Sequence, residues 1–384
     1  MKSKRQTIDT FSEALSSLAT QPGPASSRTI TFWCGAGFSR AWSPNSPTEG
    51  SLFSIPKEKI AHFKYLHHVL SAIGWENNDC IGFEGFKTLQ YVLDMQLKHP
   101  DIRNRYLDDQ NLRLSINEMR TFVHQNFESL GSLNFIDDES LSFPLRDVEH
   151  DYTSSILPFF QRVIGMTSLN QGSDIGLRPQ FITTNYDYTI ETILDNSEHR
   201  DGSILNNIYR GITPEYICGK PTWQQPIGNF EYSLIKLNGG FEILSDGDRY
   251  NIDYRKRSSD ELQENPPILI LPSREQDYAD SYFKAIFPKA VRILRESQIL
   301  LIIGYSMPRE DALVLFILRQ FAESGLDAQG KYVFCIDLKG PDVLEKRLNW
   351  NFSSIKTTGW PKIMFYNGGF EMFCKEYIQH TNTN

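Results

Sequence analysis

The stretch Ile299-Leu300-Leu301-Ile302-Ile303 runs straight into Gly304-Tyr305-Ser306. A strand with one wet face alternates apolar and polar residues. One that is apolar at every position must be covered on both faces, as in a parallel sheet between two layers of helices. Working outward, six more short segments rich in Val, Ile, Leu and aromatics read as strands: 29–34, 180–184, 233–237, 268–271, 332–337 and 363–366. Helical patterns separate most of them. The clearest spans Pro308 to Ala322, with proline early, Glu310 and Asp311 in the expected first turn, and Leu313-Val314-Leu315-Phe316-Ile317-Leu318 as the buried body. The expected fold class is therefore α/β, a Rossmann-like parallel sheet flanked by helices.

About 145 residues separate the first two strands, far more than one crossover helix uses. Segments 57–74, 83–98, 112–130 and 154–166 carry apolar residues at helical spacing, for example Phe63, Leu66, Val69, Leu70 and Ile73. This predicts a large helical insertion over about 56–175, whose apolar stripes read as core without chemistry. The expected organisation is an N-terminal helix and linker over 1–27, then the main domain over 28–380. Pro22, Gly23 and Pro24 in that linker separate the first helix, about Thr10 to Ala19, from the first strand.

Composition narrows the function classes. Of 384 residues, 40% are hydrophobic and 39 basic side chains face 47 acidic ones, for a net charge of −8. The longest basic run is Arg255-Lys256-Arg257, so no direct nucleic-acid binding is expected. There is no signal-like segment and no run of 18 apolar residues, which predicts a cytoplasmic protein with no membrane partner. Five scattered cysteines without a Cys-x-x-Cys pair offer neither a disulfide framework nor a four-thiolate zinc site, so no metal is expected.

The polar motifs gather at the carboxyl ends of the expected strands: Gly35-Ala36-Gly37, Asn185-Tyr186-Asp187, Asn238-Gly239-Gly240, Ser273-Arg274, Tyr305-Ser306 and Asp337. In an open parallel sheet these ends form one rim, and ligands bind in the crevice where strand order reverses. Glycines after a strand let backbone N–H groups approach a diphosphate. The ordinary dinucleotide fingerprint asks for a third glycine, however, where Arg40 stands, and 41–55 reads as an irregular flap in place of an immediate helix.

Four motifs taken in order, Gly35-Ala36-Gly37-Phe38-Ser39, Thr183-Thr184-Asn185-Tyr186-Asp187, Lys236-Leu237-Asn238-Gly239 and Gly304-Tyr305-Ser306-Met307-Pro308, resemble the sirtuin-like NAD-consuming domains of prokaryotic antiphage defence systems. The resemblance runs from about Thr29 to Phe370 and implies an enzyme that takes NAD⁺ as substrate and cleaves its nicotinamide–ribose bond. It places Gly35, Ala36, Gly37 and Ser39 at the diphosphate and Asn185 with Asp187 at the catalytic centre, and Arg40 and Thr184 are kept as further cofactor-binding candidates. It also puts Gly304, Tyr305 and Ser306 at the adenine-side ribose and Asp337 at the adenosine. Stand-alone relatives of this length resemble partners of HerA-type ATPases, which implies such a partner and a homo-oligomer, with the helical parts as assembly surfaces.

One position departs from that pattern. Relatives usually read Lys-Leu-His-Gly where this chain has Lys236-Leu237-Asn238-Gly239, and the histidine is the expected base. An asparagine can hold ribose hydroxyls but takes no proton at neutral pH. Asn238 is kept as a third catalytic candidate, in an enzyme with weakened turnover or in a module that binds NAD⁺ or ADP-ribose without cleaving it. His150, with acidic neighbours, is a remote substitute base. Protein deacylation is disfavoured, because sirtuins proper carry a zinc ribbon that these cysteines cannot build.

Overall fold

In a computed structural model the chain is described over residues 2–22, 28–47, 49–75, 80–145, 152–168, 176–197, 204–224, 232–323, 328–352 and 358–383. Its strands in chain order are β1 (Thr29–Cys34), β2 (Arg178–Thr183), β3 (Ile208–Tyr209), β4 (Tyr216–Ile217), β5 (Lys220–Pro221), β6 (Tyr232–Lys236), β7 (Ile243–Asp246), β8 (Arg249–Ile252), β9 (Ser297–Ile303), β10 (Tyr332–Ile336) and β11 (Lys362–Tyr366).

Seven of them form one parallel sheet in the order β11-β10-β9-β1-β2-β6-β3. The chain starts in the centre at β1, builds one side through β2, β3 and β6, and then the other through β9, β10 and β11. Strand order thus reverses at β1. The carboxyl ends are level, since Cys34 pairs with both Thr183 and Ile303.

Successive residues of the apolar strands feed two separate cores. Ile299, Leu301 and Ile303 join Phe32, Phe159, Phe160 and Phe181 on one face, while Leu300 and Ile302 join Trp33 and the residues of the insertion on the other. Period-two side-chain direction combined with cover on both faces is what the uninterrupted apolar run requires. Between β1 and β2 the long helices are Phe83–Lys98, Asp109–Ser129 and Tyr152–Ser168. The buried carboxylate of Glu118 accepts the N–H groups of Tyr65 and Leu66 at 2.7–3.2 Å, serving the otherwise unsatisfied donors at the start of helix Lys64–Ala72.

Four expectations need correction. First, the N-terminal helix covers Lys2–Thr20 and lies against the sheet, with Phe11 packed among Phe159, Phe334, Phe373 and Tyr377, so its apolar face is buried within the chain. Residues 23–27 of the expected linker lie outside the described residues.

Second, Ile268–Leu271 is no strand of the sheet. It crosses the rim, and Gly240 N–H donates to Ile268 O while Ile270 N–H donates to Asn238 O. Pro266, Pro267 and Pro272 flank it and lack the N–H groups that a longer ladder needs.

Third, a helix follows the glycines at once, Ala36–Trp42, where an irregular segment was expected. Fourth, the helix after β9 is Ala312–Arg319, four residues later than expected. Residues 304–311 form a wall instead, because Arg347 donates to Ser306 O and Met307 O, Met307 takes φ +52°, and Asp311 binds Tyr305 Oη at 2.8 Å.

β3 and the small sheet β5-β4-β8-β7 were not anticipated. Strands of two residues carry too few side chains to show a period.

Candidate active site

The reversal point at β1 opens a cleft with a cavity volume of about 180 Å³. Its walls are the loops after β1, β2, β6 and β9, the crossing segment 270–276, and the insertion. Of the residues singled out in the sequence, Ala36, Ser39, Thr184, Asn185, Asp187, Asn238, Gly304, Tyr305 and Ser306 line it. Gly35, Gly37, Arg40 and Asp337 are not among its lining residues. Arg40 points to solvent, and the Asp337 carboxylate turns back to accept Lys339 N–H at 2.8 Å.

The two glycines have a different employment from a phosphate cradle. Gly35 N–H donates to Ile303 O at 2.9 Å and Gly37 N–H to Gly304 O at 3.0 Å. A Cβ on Gly35 would stand 2.6 Å from Gly304 O, and one on Gly37 would stand 2.7 Å from Gly304 Cα. Both backbones touch, so neither residue can carry a side chain there. What the pair does is bring the β1 and β9 loops into contact beneath the cleft.

Asn185 is tied to that junction. Its Nδ2 donates to Gly35 O and to Ser39 Oγ, each at 2.8 Å, while its backbone N–H is held by Thr183 Oγ1 at 3.0 Å. The Gly35 carbonyl can only accept, which sets the orientation of the amide. With both donors engaged, Asn185 offers a ligand its Oδ1, an acceptor.

Asp187 is 5% exposed and its Oδ1 accepts Thr189 N–H at 3.0 Å, an Asx turn that starts helix Thr189–Ser197. The same carboxylate pushes up the buried Cys34 thiol, adding to the larger effect of burial. Lys236 Nζ reaches Asp187 O at 2.6 Å, Glu191 at 2.8 Å and Glu242 at 2.9 Å, all of them buried. This ion group holds the β2 and β6 loops together. Burial pushes the Glu242 carboxyl up, against the pull of Lys236.

Asn238 follows β6, with its amide 3.4 Å from Thr184 O and its Oδ1 accepting from Tyr278 Oη at 3.3 Å. Gly239 takes φ +80°, and a Cβ on it would meet Ile268 O at 1.9 Å, so the Asn-Gly turn is also the structural seat of the crossing segment. Turn and cleft wall are therefore one feature. His150 lies outside the described residues, and no histidine is among the lining residues.

Several lining groups escaped the sequence reading. Leu52 and Phe53 come from the segment 41–55 that the sequence reads as a flap, while Phe83 and Phe127 come from the insertion, whose apolar stripes were assigned to core alone. Lys87 Nζ on the insertion reaches Glu310 at 3.6 Å across the mouth. Gln276, Tyr278 and Asp311 form a chain with Tyr305, and Ser273 Oγ lies buried in the wall without a hydrogen-bond partner. Ser273 was already placed on the rim by the sequence, after an apolar run; the rest depend on long-range packing.

The site thus joins an acceptor amide, a second amide and three carboxylates, Asp187, Asp311 and the Lys87-paired Glu310, to aromatic walls. It suits a polar ligand carrying positive charge on a flat ring, since carboxylates and ring faces both attract a cation. Among the described residues no group of three or more His, Cys, Asp or Glu side chains is placed to hold a metal ion. No helix among them is long and apolar enough to cross a membrane.

Residues 179–357 match the SIR2-like domain family, a fold that binds NAD⁺. The match contains Asn185, Asp187, Asn238 and Gly304–Ser306, and it leaves out the glycine turn after β1 and the insertion. No curated protein matches the chain.

Proposed function

We propose, with the SIR2-like match as premise, that the chain is an NAD⁺ glycohydrolase, releasing nicotinamide and ADP-ribose. The observation that carries the reading is the Asn185 amide, held at 2.8 Å to both the glycine turn and Ser39 so that its Oδ1 is left to a ligand. Nicotinamide leaves a pyridinium as a neutral molecule and needs no general acid, and the sugar left behind resembles the cation of glycoside hydrolysis. Water attacks such a cation with little help from a base. Asn185 Oδ1 would orient that water or a ribose hydroxyl, and Asp187 would stabilise the developing positive charge. On this reading one half of the dinucleotide would occupy the cleft of about 180 Å³, with the other half running outward along the Gly304–Ser306 wall. The amides of Gly35 and Gly37 are engaged within the fold, so on this reading Ser39 and the start of helix Ala36–Trp42 face the phosphates.

The biological role we propose is that of an effector in an antiphage defence complex that depletes cellular NAD⁺. A HerA-type ATPase or another defence protein, together with self-assembly, would keep it silent. What supports this is the resemblance of the four ordered motifs. One observation favours a second reading, a module that binds NAD⁺ or ADP-ribose without turnover: Asn238, held by Thr184 and Tyr278, presents no proton acceptor of histidine's strength.

Release of nicotinamide from NAD⁺, followed with and without candidate partners, separates the two. A hydrolase loses release in Asn185→Ala and gains in Asn238→His, by about 10²-fold if the histidine acts as a base. Bound NAD⁺ with no nicotinamide from either the wild type or Asn238→His refutes hydrolysis and establishes the module.

A further inference from the structure

At the amino ends of β1, β2 and β6, on the edge of the sheet away from the cleft, lies a second concavity of about 260 Å³. Four observations converge there. Gln180 is 3% exposed, yet its Nε2 has no hydrogen-bond acceptor. A buried amide donor without a partner costs about 1–3 kcal/mol, a cost that an acceptor from a ligand in the concavity would remove. Arg178, the first residue of β2, and Lys289, on helix Ser281–Glu296, both line the concavity, and neither forms an ion pair among the described residues. Arg292 adds a third cation, but Glu296 holds it at 2.8 Å and cancels its charge. The Ser233 hydroxyl completes the lining with a further donor.

Two cations without an ion pair among the described residues thus meet a buried donor, in a chain with a net charge of −8. In the other conspicuous basic run Arg255 pairs with Asp253 and Lys256 with Glu128, while Arg257 donates to the carbonyls of Glu261 and Asn265.

We infer that this concavity is a binding site for a small phosphate-bearing anion, separate from the cleft. Arg178 and Lys289 would supply charge-assisted hydrogen bonds, and Gln180 Nε2 would donate at the floor. A free phosphate would use only part of 260 Å³, so a phosphate monoester fits the same chemistry with its organic part along Ser233 and the β6 edge.

The test is calorimetric titration of the full chain with inorganic phosphate and, separately, with glycerol 3-phosphate, against sodium chloride at matched ionic strength. Both arms should show saturable binding, tighter for the monoester if the whole concavity is used and equal if free phosphate is the ligand. The double variant Arg178→Ala/Lys289→Ala changes exposed side chains only, and should weaken both by about tenfold or more with an unchanged melting temperature in the absence of phosphate. Gln180→Leu, if folded, should do likewise. No saturable heat in either arm, or unchanged affinity in the double variant, overturns the inference. Neither result bears on nicotinamide release.

Discussion

Substituting Gly304 by alanine isolates what the paired glycine turns do. Gly304 takes φ +57°, and a Cβ there would stand 2.4 Å from Gly37 Cα, 2.5 Å from Gly37 C and 2.7 Å from Phe38 N. An L-residue in left-handed conformation costs roughly 1–2 kcal/mol. The three neighbours are backbone atoms, so no side chain can swing away. Carbon atoms rest comfortably at about 3.5–4 Å, so the β1 and β9 loops must part by about 1 Å. Overpacking of that kind adds about 1–3 kcal/mol, for a total near 2–5 kcal/mol.

Gly74→Ala supplies the control, because Gly74 takes φ +67° with nothing within 4 Å and should lose only the conformational part. Urea unfolding measures both variants. The parting also displaces Asn185, which hangs on Gly35 O, and a displacement of about 1 Å typically costs on the order of 10² in turnover. NAD⁺ affinity and nicotinamide release should therefore fall in Gly304→Ala and stay at wild-type values in Gly74→Ala. Equal destabilisation of the two variants, with the cleft unaffected in both, would refute the claim that backbone contact at this junction builds the site.

Two further outcomes follow from buried charge. His124 is 1% exposed, and burial lowers its pKa to about 4, against a smaller opposing pull from Glu128. The folded chain keeps it neutral while the unfolded chain protonates it below about 6.5. Its contribution is thus complete above pH 6.5 and is lost as pH falls toward 4, by about 3 kcal/mol; the difference in unfolding free energy between wild type and His124→Phe should change by that amount across the window, and a pH-independent difference contradicts it. Lys236→Met leaves the carboxylates of Glu191 and Glu242 without their directly paired cation, with only the more distant Arg210 beyond Tyr254, at a cost of about 3–5 kcal/mol. Adding Glu191→Gln and Glu242→Gln should restore much of the loss, and a loss under about 1 kcal/mol in Lys236→Met alone would show that the ion group does not hold the β2 and β6 loops.

Legibility along the chain followed the range of the forces involved. Strand β1 could be read to the residue and β9 and β10 to within two, because burial on both faces of a sheet imprints an apolar run on a few consecutive positions. Asn185, Asp187, Asn238 and Tyr305 could be gathered on one rim for a related reason: a parallel sheet places every carboxyl end on the same edge, whatever the sequence distance between them.

Contacts closed by distant segments left no local trace. The amides of Gly35 and Gly37 have the look of phosphate ligands in sequence, yet they bind the β9 loop, because two backbones meet there and no periodicity reports a meeting partner. The aromatic side chains Phe83 and Phe127 carry an ordinary helical pattern that is the same whether the buried face meets core or cleft. Asp311 looked like first-turn helix chemistry and became a partner of Tyr305, since the Arg347 guanidinium draws in the preceding carbonyls and delays the helix. Local sequence determined the elements and the edge on which chemistry could gather; packing between segments more than a hundred residues apart decided which donors were already engaged, and so which atoms the cleft presents to a ligand.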